Sequence, residues 1–149
     1  MRLIEKMYSF AKEQMKLDWN EVPGSKSNPL ILETYKCVDD IGNHPEALDD
    51  SLISWCSCFM NYVCQKSGGR GTRSAAARSW ALWGNETKDP KEGDIVVFKR
   101  PPSAWKGHVA FFVKKDGLFI TCMGGNQDNR LCIEKVRISK LLCFRTSKD

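Results

Sequence analysis

Three side chains in this sequence have the types and order needed to break an amide bond through a covalent intermediate. Cys56 lies in Ser54-Trp55-Cys56-Ser57-Cys58-Phe59-Met60-Asn61-Tyr62-Val63-Cys64. There Cys56, Phe59, Met60, Val63 and Cys64 recur at helical spacing, which predicts a helix with one buried face. Ser54 stands just ahead of the run as an N-cap and places Cys56 in the first turn. A helix start favours negative charge and offers unpaired N–H groups; both lower a thiol pKa, and the thiolate is the nucleophile. His108, one of two histidines, opens the strand-like run Gly107-His108-Val109-Ala110-Phe111-Phe112. It would take the thiol proton as general base. Asn126, in Gly124-Gly125-Asn126-Gln127 at the end of the next strand, would accept from the imidazole N–H and fix its tautomer, with Gln127 as the alternative. Cys58 lies off the Cys56 face and reads as packing or surface. Cys64, eight residues on, reads as core. His44, beside Pro45, reads as a loop residue outside the chemistry.

The elements that must position these groups follow from period and punctuation. Leu3, Ile4, Met7, Tyr8, Ala11 and Met15 mark one face of an amphipathic helix within Met1–Leu17. A turn-rich loop over Glu21–Pro29 ends in Asn28-Pro29, an N-cap and N1 pair that starts a helix through Leu30, Ile31, Thr34, Tyr35 and Val38. The loop Gly42–Asp50 leads to the Cys56 helix, which Ser67-Gly68-Gly69 closes. Ser74–Trp83 reads as a short helix ended by Gly84. From Pro90 the period becomes two. Asp94–Lys99, His108–Lys115, Leu118–Met123, Leu131–Arg137 and Leu141–Arg145 are the predicted strands, with Asp116-Gly117 as a hairpin signal. Gly93-Asp94 reads as a tight turn. Helices first and a meander second predict one α+β domain over residues 1–149, with an antiparallel sheet of about five strands.

Composition narrows the function. At 149 residues and 42% hydrophobic, the chain can bury a core. The net charge of +5 suits an anionic polymer or an ordinary surface. It is dispersed, with no Arg/Lys stripe interleaved with stacking aromatics, so no nucleic-acid partner is expected. Seven cysteines, an odd number without a C-x-x-C pair, argue for reduced thiols rather than a disulfide framework or a zinc site. No segment reaches the ~18–20 apolar residues of a membrane span. Met1–Leu17 lacks the apolar run and cleavage site of a signal peptide. A protein made in the cytoplasm and carried to its substrate by other means is the resulting expectation.

The ordered set Glu21-Val22-Pro23-Gly24, Asn28-Pro29, Trp55-Cys56, Asn61-Tyr62-Val63, Ala77-Arg78-Ser79-Trp80, Gly93-Asp94-Ile95-Val96-Val97-Phe98, Gly107-His108-Val109-Ala110-Phe111 and Gly124-Gly125-Asn126-Gln127 resembles the CHAP family (cysteine, histidine-dependent amidohydrolases/peptidases), and most closely a small phage-encoded branch of it. The resemblance implies a papain-like fold, with Cys56 as nucleophile, His108 as base and Asn126 as third member. It implies bacterial peptidoglycan as substrate, a phage endolysin role and no metal or cofactor. In the family an acidic residue usually stands close before the cysteine; here Asp49 and Asp50 lie farther back.

Trp55, Arg78, Trp80 and Gln127 are the candidate substrate-binding residues. Arg78 could pair a substrate carboxylate bidentately. Trp80 and Trp83 share a helix face, which is also the pattern of a core, and Trp105 could line a groove or close the helical layer. The protein is expected to be monomeric. An injected interbacterial amidase, or an inactive wall-binding or structural phage protein, would account for the same sequence. Glycosidase chemistry is not expected, because Asp49, Asp50 and Asp94 do not form the pair of facing carboxylates it needs.

Overall fold

A computed structural model describes residues 1–21, 28–41, 54–127 and 129–149, with Gln127 described by its backbone. His44, Asp49 and Asp50 fall outside the described residues. Among the described residues the helices are α1 (Leu3–Gln14), α2 (Pro29–Tyr35) and α3 (Cys56–Lys66), and two 3-10 turns cover Ala77–Leu82 and Ile138–Lys140. Six strands follow: β1 (Asn85–Thr87), β2 (Ile95–Lys99), β3 (Gly107–Asp116), β4 (Phe119–Gln127), β5 (Arg130–Arg137) and β6 (Leu141–Thr146). The fold is α+β, with the N-terminal helices on a C-terminal sheet. All pairings are antiparallel, in the order β1-β6-β2-β3-β4-β5. No helix among the described residues is long and apolar enough to cross a membrane.

Two features of the antiparallel sheet go beyond the expected pattern, and both come from β6. The sheet is not a simple meander, because β6 returns across it to lie between β1 and β2. The strand β1, Asn85-Glu86-Thr87, is a sixth strand with no apolar residue. It exists because β6 offers it an edge: Asn85 pairs with Thr146 and Thr87 with Phe144. Ser74–Trp83 likewise forms only a 3-10 helix, Ala77–Leu82, with Trp83 already extended. Local capping is closer to expectation. Asn28 Oδ1 accepts from the Leu30 N–H at 2.9 Å with Pro29 following, and Gly68 at φ +97° closes α3. Asp94 Oδ2 accepts from the Lys91 N–H at 2.8 Å, the tight turn expected before β2.

The two faces of the sheet are buried differently. Ile95, Val97, Val109, Phe111 and Met123 face the helices and join Met7, Ile31, Phe59 and Val63 in the main core. Val96, Phe98, Ala110, Phe112 and Cys122 face the other way, where Val136, Ile138, Leu141 and Phe144 pack against them. The β5–β6 connection thus closes the face that the helices leave open. α3 packs across β3 and β4, which brings its first turn beside the start of β3 and the end of β4.

Candidate active site

The first turn of α3 is set in place by aromatic packing. Trp55 is fully buried, stacked on Trp19 with centroids 6.1 Å apart, and its Nε1 donates to Glu21 Oε1 at 2.7 Å. β4 passes against this ring. A Cβ on Gly125 would lie 2.5 Å from Trp55 Cζ3, so the glycine permits the approach. Trp55, not Ser54, is the N-cap residue, and no side chain caps the helix. The first helical bond runs from the Phe59 N–H to the Trp55 carbonyl at 2.8 Å, so the Cys56 N–H stands ahead of it, as an anion site at a helix start requires.

Ser54 has a different contact from the expected cap. Its Oγ is 4.0 Å from Cys56 Sγ and accepts from Asn126 Nδ2 at 3.1 Å. Asn126 reaches it through a β-bulge: Gly124 pairs with Cys132 and Gln127 with Arg130, so two residues of β4 stand against one of β5. Asn126 takes φ +62°, a left-handed conformation that asparagine tolerates, and its side chain is thereby turned toward the start of α3.

His108 lies one residue into β3, paired with Phe98 of β2, whose ring stacks on the imidazole at 15° and 6.2 Å. The imidazole hydrogen-bonds the Cys56 thiol. Burial pushes that thiol's pKa up, but His108, the Val109 backbone N–H and Ser54 outweigh it and bring the value down from 9.0 to about 7. Cys58 is buried and burial drives its thiol well above the ordinary range, while Cys64 is raised to about 11 by burial. Three thiols on one helix therefore differ sharply, and the one facing the imidazole is the one poised to ionise.

Cys56 opens onto a cleft of about 240 Å3, lined among others by Ser54, Ala75, Ala76, Ala77, Arg100, Trp105 and Lys106. His108 and Asn126 line an adjoining cavity of about 190 Å3 with Phe98, Lys99, Arg100, Glu134, Val136 and Lys140. A larger cavity, about 670 Å3, sits near Leu3, Gly68, Leu82 and Asp149, and no cysteine or histidine lines it.

One wall of the Cys56 cleft is held from below by Asn61, which is fully buried. Its Oδ1 accepts from the Thr72 and Arg73 N–H groups at 2.9 and 2.8 Å, and its Nδ2 donates to the Ser57 and Ser74 carbonyls at 3.0 and 3.2 Å. Asp40 accepts from the Ala75 N–H at 2.8 Å. The facing wall is the loop between β2 and β3. There Arg78 Nε donates to the Lys106 carbonyl at 2.8 Å and its Nη2 to the Ser103 carbonyl at 3.2 Å.

The structure thus brings Cys56, His108 and Asn126 together with Ser54. Trp55 and Trp80 are fully buried instead, Trp80 donating from Nε1 to Ser57 Oγ at 3.0 Å. Arg78 clamps the loop, and Gln127 ends β4 opposite Arg130. Ser54, the alanine wall and Arg100 are contributions the sequence reading did not assign. The only advance signal for Ser54 was its place two residues before the thiol.

No curated protein matches the chain. The family model of the CHAP domain matches residues 48–126, a little over half of the chain and the whole span from the Cys56 helix to Asn126. The chain therefore belongs to the CHAP domain family, a family of peptidoglycan hydrolases and amidases.

Proposed function

We propose that the protein hydrolyses an amide bond of bacterial peptidoglycan, with Cys56 as nucleophile, His108 as general base and acid, and Asn126 as the third member. The observation that carries this reading is the Cys56 thiol, held against His108 at the start of α3 and brought to about pKa 7, on the floor of an open cleft.

His108 takes the thiol proton and the thiolate attacks the amide carbonyl, forming a C–S bond. The oxyanion is held by the Cys56 N–H. Collapse breaks the C–N bond, and the amine leaves with the proton from the imidazolium. His108 then deprotonates a water, whose oxygen attacks the thioester; the C–S bond breaks and the thiolate returns. The Ser54 hydroxyl accepts from Asn126 and so has its own proton free to turn toward the thiolate. Orientation of the imidazole falls to Asn126, with Gln127 as the alternative. No step calls for a metal or cofactor. A net charge of +5 supports attraction to an anionic wall. The likeness of the ordered segments to a phage-encoded branch supports a bacteriolytic, endolysin role.

The test is digestion of purified cell walls. New free amines, or glycan chains freed of intact stem peptides, should appear without new reducing sugar ends. Cys56→Ala and His108→Ala should each abolish the activity while leaving the circular dichroism spectrum unchanged, and Cys58→Ala should retain most of it. Clearing by Cys56→Ala, or reducing ends rising with lysis, would overturn the reading. Asn126→Ala should be impaired but not dead; a larger loss in Gln127→Ala would give the third position to Gln127.

A further inference from the structure

The cleft over Cys56 holds a guanidinium that the reaction leaves unused. Arg100 follows β2 and opens the loop to β3. It lines the Cys56 cleft together with Ser54, Trp105 and Lys106, and it also lines the cavity that contains His108 and Asn126. It is thus common to the lining of both cavities, the one onto which Cys56 opens and the one that holds His108.

Other arginines around the fold are committed. Arg78 donates to the Lys106 and Ser103 carbonyls, Arg73 pairs with Asp39 at 2.7 Å, and Arg145 donates to the Trp83 and Gly84 carbonyls. The Arg100 side chain is exposed and has no hydrogen-bond or ion-pair partner among the described residues. Nor is it among the groups that act on the Cys56 thiol, which are His108, Val109 and Ser54. The rest of the lining has the same sign. Lys99 and Lys140 flank the His108 cavity and Lys106 the Cys56 cleft, against one carboxylate, Glu134, among the described lining residues. A rigid, permanently charged fork in a partly enclosed cationic cleft is suited to a carboxylate, which it can bind through two parallel hydrogen bonds.

We propose that Arg100 binds a free carboxylate of the substrate peptide close to the scissile amide, so that the enzyme selects stem peptides with free carboxyl groups over amidated ones. This rests on the amide-cleavage reading above. Arg78 supports the site indirectly: by gripping Lys106 and Ser103 it fixes the loop that carries Arg100.

The probe is a synthetic cross-linked muropeptide, which contains both the sugar–peptide amide and the stem peptide bonds. It is made once with all carboxyl groups free and once with them amidated. A charge-assisted bidentate contact predicts a kcat/KM roughly 10- to 100-fold higher for the free-carboxyl form. Arg100→Gln should erase that preference, so that both forms are cut alike, and Arg100→Lys should retain part of it. The rate of Cys56 alkylation should stay unchanged in both variants, which shows the thiol and imidazole intact. Equal cleavage of the two forms by the wild type, or a preference that survives Arg100→Gln, would overturn the proposal. If neither form is cut by a protein whose Cys56 alkylates normally, the amide-cleavage reading fails and the carboxylate site fails with it.

Discussion

The two walls of the cleft are built on opposite principles. The α3 wall is built on core: Trp55, Cys56, Ser57, Phe59 and Asn61 are all buried, and Asn61 holds the Thr72–Arg73 segment that leads into the alanines. The loop wall is almost all surface. Trp105 is 73% exposed, and Arg100 and Lys106 are exposed beside it, held by one arginine from behind. Chemistry requires fixed geometry and a partly desolvated thiol, and a close-packed interior supplies both. Recognition of a wall polymer requires accessible charge and ring faces, which only a surface loop can present. If this division holds, variants in the α3 wall should change stability or the thiol, and variants in the loop wall should change substrate binding alone.

The largest effect is expected at Asn61. Asn61→Ala removes a buried amide and orphans the Thr72 and Arg73 N–H groups. A loss of about 3 kcal/mol is expected, seen as a melting temperature lower by roughly 6–12 °C. A variant that melts like the wild type would mean that the alanine wall is held otherwise.

The next effect is at Ser54. The Cys56 alkylation rate should reach half its maximum near pH 7, because the thiol ionises at about 7 and not at its ordinary 9.0. The sign follows from the folded value being the lower one: the thiolate accumulates as pH rises through 7, and alkylation slows as pH falls below it. Ser54→Ala removes a hydrogen-bond donor to the thiolate, so this midpoint should move upward with little change in melting temperature. An unmoved midpoint would reduce Ser54 to a packing contact.

The smallest effect is at Arg78. Arg78→Ala frees the loop and should raise KM roughly 3- to 10-fold while kcat and the alkylation profile hold. A fall in kcat with KM constant would place the loop in the chemistry and end the division between the walls.

Periodicity and capping residues made much of this fold legible. The α1 face, the Asn28-Pro29 start of α2 and the glycine end of α3 are local, since each depends on residues within a few positions. The Cys56 helix and the strand that carries His108 are local in the same way, which is why Cys56 and His108 stand out in the sequence as candidates for the proposed chemistry. The strand β1 was not legible, because its polar residues are extended only when β6 lies beside them. The fates of Trp55, Trp80 and Arg78 were not legible either. An aromatic or a guanidinium next to a site motif fits a groove and a core equally well until the packing around it is known. Ser54 reads as a cap in the sequence because a serine ahead of a helix usually is one. Its contact with Asn126, 72 positions away, is made only when the β4 bulge turns the asparagine toward α3. Residue types and their spacing are enough to say which groups can ionise, accept or donate, and which local elements carry them. Which of those groups face one another across the cleft is set by the folded chain, because long-range contacts depend on the register and crossover of the sheet and not on neighbours in the sequence.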